Sequence, residues 1–283
     1  MINGSALELL SIEALPLKTV QTFIALSAFL LLAATSKADT LGTAGTYAVL
    51  GASTVTNTGS SVLSGNLGLA PGTSITGFPP GSVINGVINQ TNTAATTAQT
   101  DATSFYNYLL GLQSTGNLSG QDLGNMTLTP GVYSYASSAG LTGPLTLNFQ
   151  DLSNQNIVLQ IGSTLTTASA STVSVENLGT NDNVYYAVGS SATLGTSSTF
   201  LGDIIAMDSV TLTTGANISC GSAIALTGAV TLDTNNISNC SASGSDVSSA
   251  MPISATPEPG ALLLLSTGLL AGAGVLRRRL FFA

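Results

Sequence analysis

Residues 204–219 (IIAMDSVTLTTGANIS) and residues 224–238 (IALTGAVTLDTNNIS) follow one pattern, an apolar start and then a Thr-Leu pair. Two earlier stretches share it, residues 157–173 (IVLQIGSTLTTASASTV) and residues 184–200 (VYYAVGSSATLGTSSTF). A repeat of this size indicates stacked structural units, each too small to bury its own apolar face. The repeat therefore decides the architecture.

Within each row, apolar residues alternate with Thr, Ser or Gly, as in Val210-Thr211-Leu212-Thr213. This is strand periodicity with one face turned inward. Val184, Ile204 and Ile224 start successive rows and are 20 residues apart. The rows are predicted to be coils of a β-solenoid, about twenty residues each. One interior column is predicted to contain Leu165, Leu194, Leu212 and Leu232.

The same alternation turns a set of threonines outward. The members predicted from strand periodicity are Thr164, Thr166, Thr193, Thr211, Thr213 and Thr231. Gly195 and Asp233 interrupt the second column of this set.

Cys220 and Cys240 are also 20 residues apart and thus occupy one position in successive coils. Stacked strands lie about 4.8 Å apart, and a disulfide needs Cα atoms at about 4.4 to 6.8 Å. We predict a Cys220–Cys240 disulfide, formed in an oxidising compartment. The alternative is two free thiols inside the solenoid.

A helical period appears between Asn89 and Ser114. The apolar residues spaced by three or four are Ala94, Ala98, Ala102, Phe105, Leu109 and Leu112, with Gly116 just beyond them. The pattern predicts a helix over about residues 91–114, packed along one side of the solenoid because its many threonines give weak helix propensity.

The charge distribution excludes several function classes. The chain has 283 residues, a formal charge of −8, and no His or Trp. All five basic residues lie outside Asp39–Thr256, at Lys18, Lys37, Arg277, Arg278 and Arg279. Nucleic-acid binding would lack its Lys/Arg contribution, and the usual nucleophile–base pairs and phosphate clamps are missing.

Residues 1–38 are typical of a secretory signal with a long leader. Lys18 precedes the apolar run 20–34, and Ser36-Lys37-Ala38 predicts cleavage after Ala38. Residues 1–17 are then a long leader, or the true start lies downstream of Met1.

At the other end, Pro257-Glu258-Pro259 precedes the apolar run 260–276 and the cluster Arg277-Arg278-Arg279. The run is long enough to cross a bilayer with its arginines on the cytoplasmic side. Residues 257–283 resemble the PEP-CTERM sorting signal of Gram-negative bacteria. The resemblance implies export across the inner membrane, a transient membrane anchor, cleavage by an exosortase, and a secreted, surface or matrix location.

The region from about Leu41 to Ile237 resembles the microbial ice-binding (antifreeze) proteins. The similar blocks are LGTAGTYAVLGASTVTNTG from Leu41, SGNLGLAPGTSITGFPPG from Ser64, LTPGVY from Leu128, VLQIGSTLTTAS from Val158, VGSSATLGTSSTFLGDIIA from Val188 and GAVTLDTNNI from Gly228. The resemblance implies a mainly β fold, a right-handed discontinuous β-solenoid with one long α-helix packed alongside. It also implies that the N-terminal strands form coils at one end before the chain crosses through the helix. The expected domain is 39–247, followed by a linker, 248–256.

In function, the resemblance implies a flat, uncharged face that adsorbs to ice. Some relatives use turns of the form T-[A/G]-x-[T/N] near its edge, which Thr214-Gly215-Ala216-Asn217 matches fully. These turns and the fourth residues of the Thr-Leu repeats add Thr167, Thr196, Thr199, Thr214, Asn217 and Thr234 to the candidate face.

Two alternatives remain open. The same face in a surface or biofilm-matrix adhesion protein would bind exopolysaccharide, although Trp is absent. An enzyme would need paired carboxylates, for which Asp203 and Asp208 are the nearest pair in sequence. We expect no catalysis, cofactor or metal.

Overall fold

The computed structural model describes residues 40–240. The signal peptide, linker and sorting signal predicted above lie outside the described residues and stay predictions. Within residues 40–240, no helix is long and apolar enough to cross a membrane.

The chain before the long helix forms a short 3-10 helix and seven strands. They are the 3-10 helix Gly42–Thr46, β1 (Tyr47–Gly51), β2 (Thr54–Thr58), β3 (Val62–Ser64), β4 (Asn66–Leu69), β5 (Ser74–Thr76), β6 (Ser82–Ile84) and β7 (Ile88–Gln90). The long helix α1 then spans Thr93–Gly111.

The chain after α1 is built from short strands. They are β8 (Gly116–Asn117), β9 (Thr127–Leu128), β10 (Gly131–Tyr135), β11 (Ala139–Leu141), β12 (Pro144–Asn148), β13 (Asn156–Ile161), β14 (Leu165–Thr167), β15 (Thr172–Glu176), β16 (Asn183–Val188), β17 (Ala192–Leu194), β18 (Thr199–Phe200), β19 (Asp203–Ala206), β20 (Val210–Leu212), β21 (Asn217–Ile218), β22 (Ala223–Ala225), β23 (Val230–Asp233) and β24 (Asn236–Ser238).

These strands form three parallel sheets, the three faces of a solenoid. Sheet A has the order β7-β4-β1-β22-β19-β16-β13-β10-β8, sheet B the order β11-β14-β17-β20-β23-β2-β5, and sheet C the order β6-β3-β24-β21-β18-β15-β12-β9. The predicted mainly β solenoid is confirmed.

Sequence order and spatial order differ, as the resemblance implied. In sheet A, β1 lies between β4 and β22, so the N-terminal coils stack on the last coil of the chain. Helix α1 then runs along sheet A. Its Gln99 side chain donates to the Gly51 and Ala225 carbonyls, at 2.8 and 3.1 Å, while its Leu109 carbonyl accepts from Gln160 at 2.7 Å.

The central strands of sheet A, β1, β16, β19 and β22, are buried on both sides, which explains their continuous apolar stretches. The outer side chains of Leu50, Val158, Tyr185, Ile205 and Ile224 pack under α1. The Phe105 and Tyr185 rings meet edge-on with centroids 4.8 Å apart. Burying an aromatic or aliphatic side chain contributes about 1.5–3 kcal/mol, so this contact compensates for the weak propensity of the helix.

The helix is shorter than the predicted residues 91–114. Asn92 caps it, accepting from the Ala95 amide, and Leu112 follows its last turn. Ala95, not Ala94, belongs to the buried stripe, and Gly116 begins β8 rather than marking the helix end. The cap moves the start inward because an Asn side chain satisfies a free helical N–H.

The predicted leucine column is wrong at one member. Leu194, Leu212 and Leu232 do stack, but Leu165 pairs with Ala192. The row starts are offset too, because Tyr186, not Val184, pairs with Ile204. The reason is the spacing within the rows: Ile157 pairs with Val184, but Thr164 follows Ile157 by seven residues and Thr193 follows Val184 by nine, so the two Thr-Leu pairs fall two residues out of register.

The predicted disulfide joins Cys220 to Cys240, with Cα atoms 5.1 Å apart. It lies where sheet C turns toward sheet A, beside β24, the last described strand.

Candidate functional site

The three sheets differ in the side chains that they expose to solvent. Sheet A lies beneath α1. Sheet C has a mixed outer surface, with Pro144, Glu176 and Ile84 on different strands and a groove between Val62, Thr199 and Asn236. Sheet B alone combines exposure with a uniform row of side chains.

The centre of sheet B is one column of threonines. Consecutive strands place in register Gly140, Thr166, Thr193, Thr211, Thr231, Thr56 and Thr76. All are exposed or half-buried, while their strand neighbours point into the core. Six of the seven strands thus present a threonine at the same level, repeated at about 4.8 Å.

A second column lies two residues earlier on each strand. The backbone hydrogen bonds and strand pairs show which residues are aligned in this column. They are Ser138, Thr164, Ser191, Ser209, Ala229, Thr54 and Ser74. The Thr164 hydroxyl donates to the Ser138 hydroxyl at 2.9 Å. We call the outward surface of these two columns the threonine face; neither column contains a charged or titratable side chain.

The column on the other side of the threonines is interrupted. Thr213 and Thr58 flank Asp233 in the register. The Thr213 hydroxyl donates to the Leu194 carbonyl at 2.8 Å, and the Thr196 hydroxyl lies 3.3 Å away. The regular array of threonine and serine side chains therefore ends at this edge of sheet B.

Three predicted residues lie in the turns between sheets B and C. Thr196, Thr214 and Thr234 are exposed there. The hydroxyls of Thr214 and Thr234 both donate to the Asp233 carboxylate. They form a rim beside the threonine face.

The same turns share a left-handed residue in each coil. The positive φ angles are 58° at Ala170, 56° at Ser197, 69° at Gly215, 56° at Thr234 and 76° at Gly59. A ladder of backbone bonds joins successive turns, including Ser197 N–H to Thr214 and Gly215 N–H to Asp233. These exposed turns therefore also hold successive coils together.

Three further predicted residues do not belong to the threonine face. Thr167 is buried, because the two-residue register offset places it in the leucine column, where its hydroxyl accepts from the Gly195 amide at 2.8 Å. Thr199 and Asn217 lie on sheet C. Asn217 closes its own turn, donating to the Gly215 carbonyl and accepting from the Asn236 amide.

Sequence reasoning missed the part of the face that comes from the N-terminal coils. Thr54, Thr56 and Thr76 continue both columns beyond Thr231. The alternation Thr54-Val55-Thr56 matches Ala229-Val230-Thr231 and was the available signal. Its place in the stack follows only from the pairing of β2 with β23.

Asp203 and Asp208 do not form a carboxylate pair. Asp203 is the first residue of β19, and Asp208 lies in the bend that follows the strand. Asp203 is buried, accepting from the Ser222 hydroxyl at 2.7 Å, whereas Asp208 is exposed and accepts from Ser190. Asp203 is thus part of a strand rather than of a solvated loop, because β19 begins at that residue.

We next consider metal binding and shifted pKa values in residues 40–240. No group of three or more His, Cys, Asp or Glu side chains there is arranged to hold a metal ion. The large pKa shifts belong to core tyrosines: burial, with a smaller effect of Asp203, raises the pKa of Tyr185, and burial raises the pKa of Tyr186.

Comparisons with known proteins agree on one family. The family model described as Ice-binding-like matches residues 49–238. An ice-binding protein of Nostoc sp. (strain HG1) is 47% identical over 261 residues, covering 92% of this chain and 94% of that protein. Among solved structures, an ice-binding protein from the Antarctic ascomycete Antarctomyces psychrotrophicus matches with a TM-score of 0.66 and 38% identity, over 70% of this chain and 96% of that one. One from an Antarctic biological consortium matches with a TM-score of 0.67 and 40% identity, over 70% and 90%.

Proposed function

Because the chain belongs to the Ice-binding-like family, we propose that it adsorbs to ice through the threonine face and so inhibits ice growth and recrystallisation. The observation that carries the assignment of this face is the register of sheet B, which aligns six threonines on seven consecutive strands.

The physical argument starts from the stiffness of threonine. A β-branched side chain has few χ1 rotamers, so a column of threonines presents hydroxyls and methyls at fixed positions. Adsorption then costs little side-chain entropy. Stacking holds the sheet flat, and the hydroxyls can hold bridging waters that join the ice lattice.

Within this face, Thr166, Thr193, Thr211, Thr231 and Thr56 form the centre. Thr164 and the serines of the second column extend it. Thr213, Thr196, Thr214 and Thr234 form its rim, where the Asp233 carboxylate interrupts the pattern. Thr167 is left out of the proposed face because it is buried.

The ends of the chain support export as a further part of the proposal. Residues 1–38 act as the signal peptide, residues 39–247 as the ice-binding domain and residues 248–256 as the linker. Residues 257–283 act as a PEP-CTERM-like signal recognised by an exosortase, with a transient membrane anchor. Secretion would also give Cys220 and Cys240 the oxidising compartment that a disulfide needs.

The role is one of adsorption, not catalysis. The family model and the relatives are ice-binding proteins, and Asp203 is buried and hydrogen-bonded to Ser222, whereas Asp208 is exposed. Exopolysaccharide adhesion remains the alternative that a negative ice assay would favour.

The test is an ice-recrystallisation and crystal-shaping assay on the purified protein, with folding verified by circular dichroism. The proposal predicts faceted crystals and small, stable grains. Rounded crystals that grow freely beside a folded protein would refute it.

A further inference from the structure

The first and last coils of the solenoid meet where the chain is not continuous. β1, β2 and β3 pair with β22, β23 and β24, and we call this boundary the coil junction. Coils that follow each other in the sequence are joined by their own turns. The two coils at the junction are linked along the chain only through α1 and the coils that come after it. Contacts across the junction must therefore set its register.

The register at the coil junction decides whether the threonine face is continuous. Thr231 and Thr56 are aligned across it. A shift of two residues would keep the alternation of buried and exposed side chains, so alternation alone does not exclude it. Such a shift would move the two halves of the face about 7 Å out of line. A specific contact is needed to select the observed register.

Asn235 makes hydrogen bonds in three coils at this junction. It is fully buried in the turn between β23 and β24. Its side-chain amide donates to the carbonyls of Thr213 and Ala216 in the preceding coil, at 2.9 and 2.7 Å. Its side-chain oxygen accepts from the Asp233 amide at 2.6 Å. Its backbone amide donates to the hydroxyl of Ser61, in the first coil, at 2.9 Å.

These bonds lie at the ends of three neighbouring strands of the threonine face. Thr213 follows β20, and Asp233 is the last residue of β23. Thr58 is the last residue of β2 and accepts from the Thr234 amide at 2.9 Å, beside the bond to Ser61. Thr213, Asp233 and Thr58 each lie two residues after the central threonine of their strand. Asn235 therefore fixes β20, β23 and β2 relative to one another.

The same corner is occupied by smaller side chains in the neighbouring coils. The residues aligned with Asn235 are Ser171, Ser198, Ala216 and Ser61. All are buried. Asn235 has the longest side chain of this column, and the small Ala216 beside it leaves the carbonyls of that turn within reach. An amide with two donors thus occurs in the coil that forms the C-terminal side of the junction.

We propose that Asn235 is a positioning residue for ice adsorption, which sets the register of the coil junction so that Thr231 and Thr56 lie in one plane. Asn235 is buried, so it acts through these two side chains and not by its own contact with ice. A binding surface works only when the bonds beneath it hold its side chains in place. This role rests on the proposed function of the threonine face.

The test compares Asn235→Ala with Asn239→Ala. Asn239 is the matched control because it is also buried and its side-chain amide also donates to two carbonyls across the junction. These are the carbonyls of Gly45 and Tyr47, at 2.9 and 2.8 Å, at the corner between sheets C and A. Both variants should unfold at a temperature lower by about 4–12 °C, since each leaves buried carbonyls without their donor.

Thermal hysteresis should separate the two variants. Near the freezing point, where both are folded, Asn235→Ala should lose most of the parent's hysteresis, and Asn239→Ala should retain it. Ser61→Ala removes only the bond across the junction, so it should give a smaller loss. This milder variant decides the question if Asn235→Ala does not fold.

Hydrogen exchange measures the register without ice. The amides of residues 211–214 and 231–234 should exchange roughly tenfold faster or more in Asn235→Ala than in Asn239→Ala, and the amides of residues 45–48 should show the opposite order. Ser61→Ala should accelerate exchange in residues 56–58 and 231–234.

Two results would overturn the positioning role. Equal loss of hysteresis in Asn235→Ala and Asn239→Ala would show that Asn235 only stabilises the junction. Full hysteresis in a folded Asn235→Ala variant would show that the face does not need it. A folded parent without ice activity would instead refute the proposed function, and the exchange comparison would still show whether Asn235 fixes the strand ends.

Discussion

Thr231 and Thr56 lie side by side in the threonine face, paired in register on β23 and β2, although they come from opposite ends of the solenoid sequence. The last coil and the first coil thus share one surface. Neither half of the sequence contains the whole face.

The pairing of β2 with β23 leads to the first prediction. Thr56→Tyr should remove most of the ice-recrystallisation inhibition, because a phenol ring would stand above the plane at the centre of the face. Ser174→Tyr, on the outer surface of sheet C, is the control and should leave the activity intact. Retained activity in a folded Thr56→Tyr variant would limit the face to the later coils.

A second prediction concerns the interruption at Asp233. Asp233→Thr should raise activity, since it removes a charge and places a third threonine in register between Thr213 and Thr58. It also frees the hydroxyls of Thr214 and Thr234 from the carboxylate. Asp233→Asn, which removes only the charge, should give a smaller gain in thermal hysteresis. A loss of activity in Asp233→Thr would show that the carboxylate helps to organise the rim.

Backbone strain at Thr234 gives a prediction about stability. Its φ of 56° is unfavourable for a β-branched residue. Thr234→Asn should raise the free energy of unfolding by about 1 kcal/mol, because Asn tolerates this conformation. Urea denaturation measures the change. Thr231→Asn, at an extended strand position, should instead destabilise the protein.

The disulfide gives a further stability prediction. Replacing both Cys220 and Cys240 by Ala should lower the free energy of unfolding by about 2–4 kcal/mol, since the bridge restricts the unfolded chain. The threonine face lies elsewhere, so ice shaping at low temperature should persist in the variant. A variant as stable as the parent would show that stacking alone holds the last coil.

The pH dependence of adsorption and of stability should differ. The two columns of the face contain no titratable side chain, so adsorption should be constant between about pH 5 and pH 9. Burial, with a smaller effect of Asp122, raises the pKa of Tyr135 to about 12, and burial also raises the pKa of Tyr185 and of Tyr186.

The direction of the alkaline effect follows from these raised values. Tyrosines with a folded pKa above the unfolded value of about 10 bind protons more tightly in the native state. Their stabilisation is complete below about pH 10 and is lost as the pH rises toward 12 and beyond. Thermal melts at several pH values measure it; a transition temperature that stays constant to pH 12 would contradict the account.

Much of this architecture could be predicted from the sequence, because the alternation around Leu212 and Leu232 has the strand period and the rows repeat. The 20-residue spacing of the cysteines placed them in adjacent coils, and the disulfide confirms it. The stripe through Ala98, Ala102 and Phe105 predicted α1, although its limits depended on the Asn92 cap.

Register was harder to predict than strand identity. Thr193 lies two residues further from the start of its row than Thr164 does, so Leu165 and Thr167 are shifted by two residues against Leu194, a shift that keeps the same alternation. For the same reason Thr167 was assigned to the face. Thr56 was missed because β2 and β23 pair over a long sequence distance, which periodicity within a row does not reveal.

The most direct test of the threonine face is the thermal hysteresis of Thr211→Tyr beside that of Ser174→Tyr. Thr211 lies at the centre of sheet B, and Ser174 is an exposed hydroxyl residue of sheet C. With both variants folded, the account predicts that Thr211→Tyr loses most of the parent's activity and that Ser174→Tyr retains it. The reverse result, activity lost through Ser174 and kept through Thr211, would contradict it.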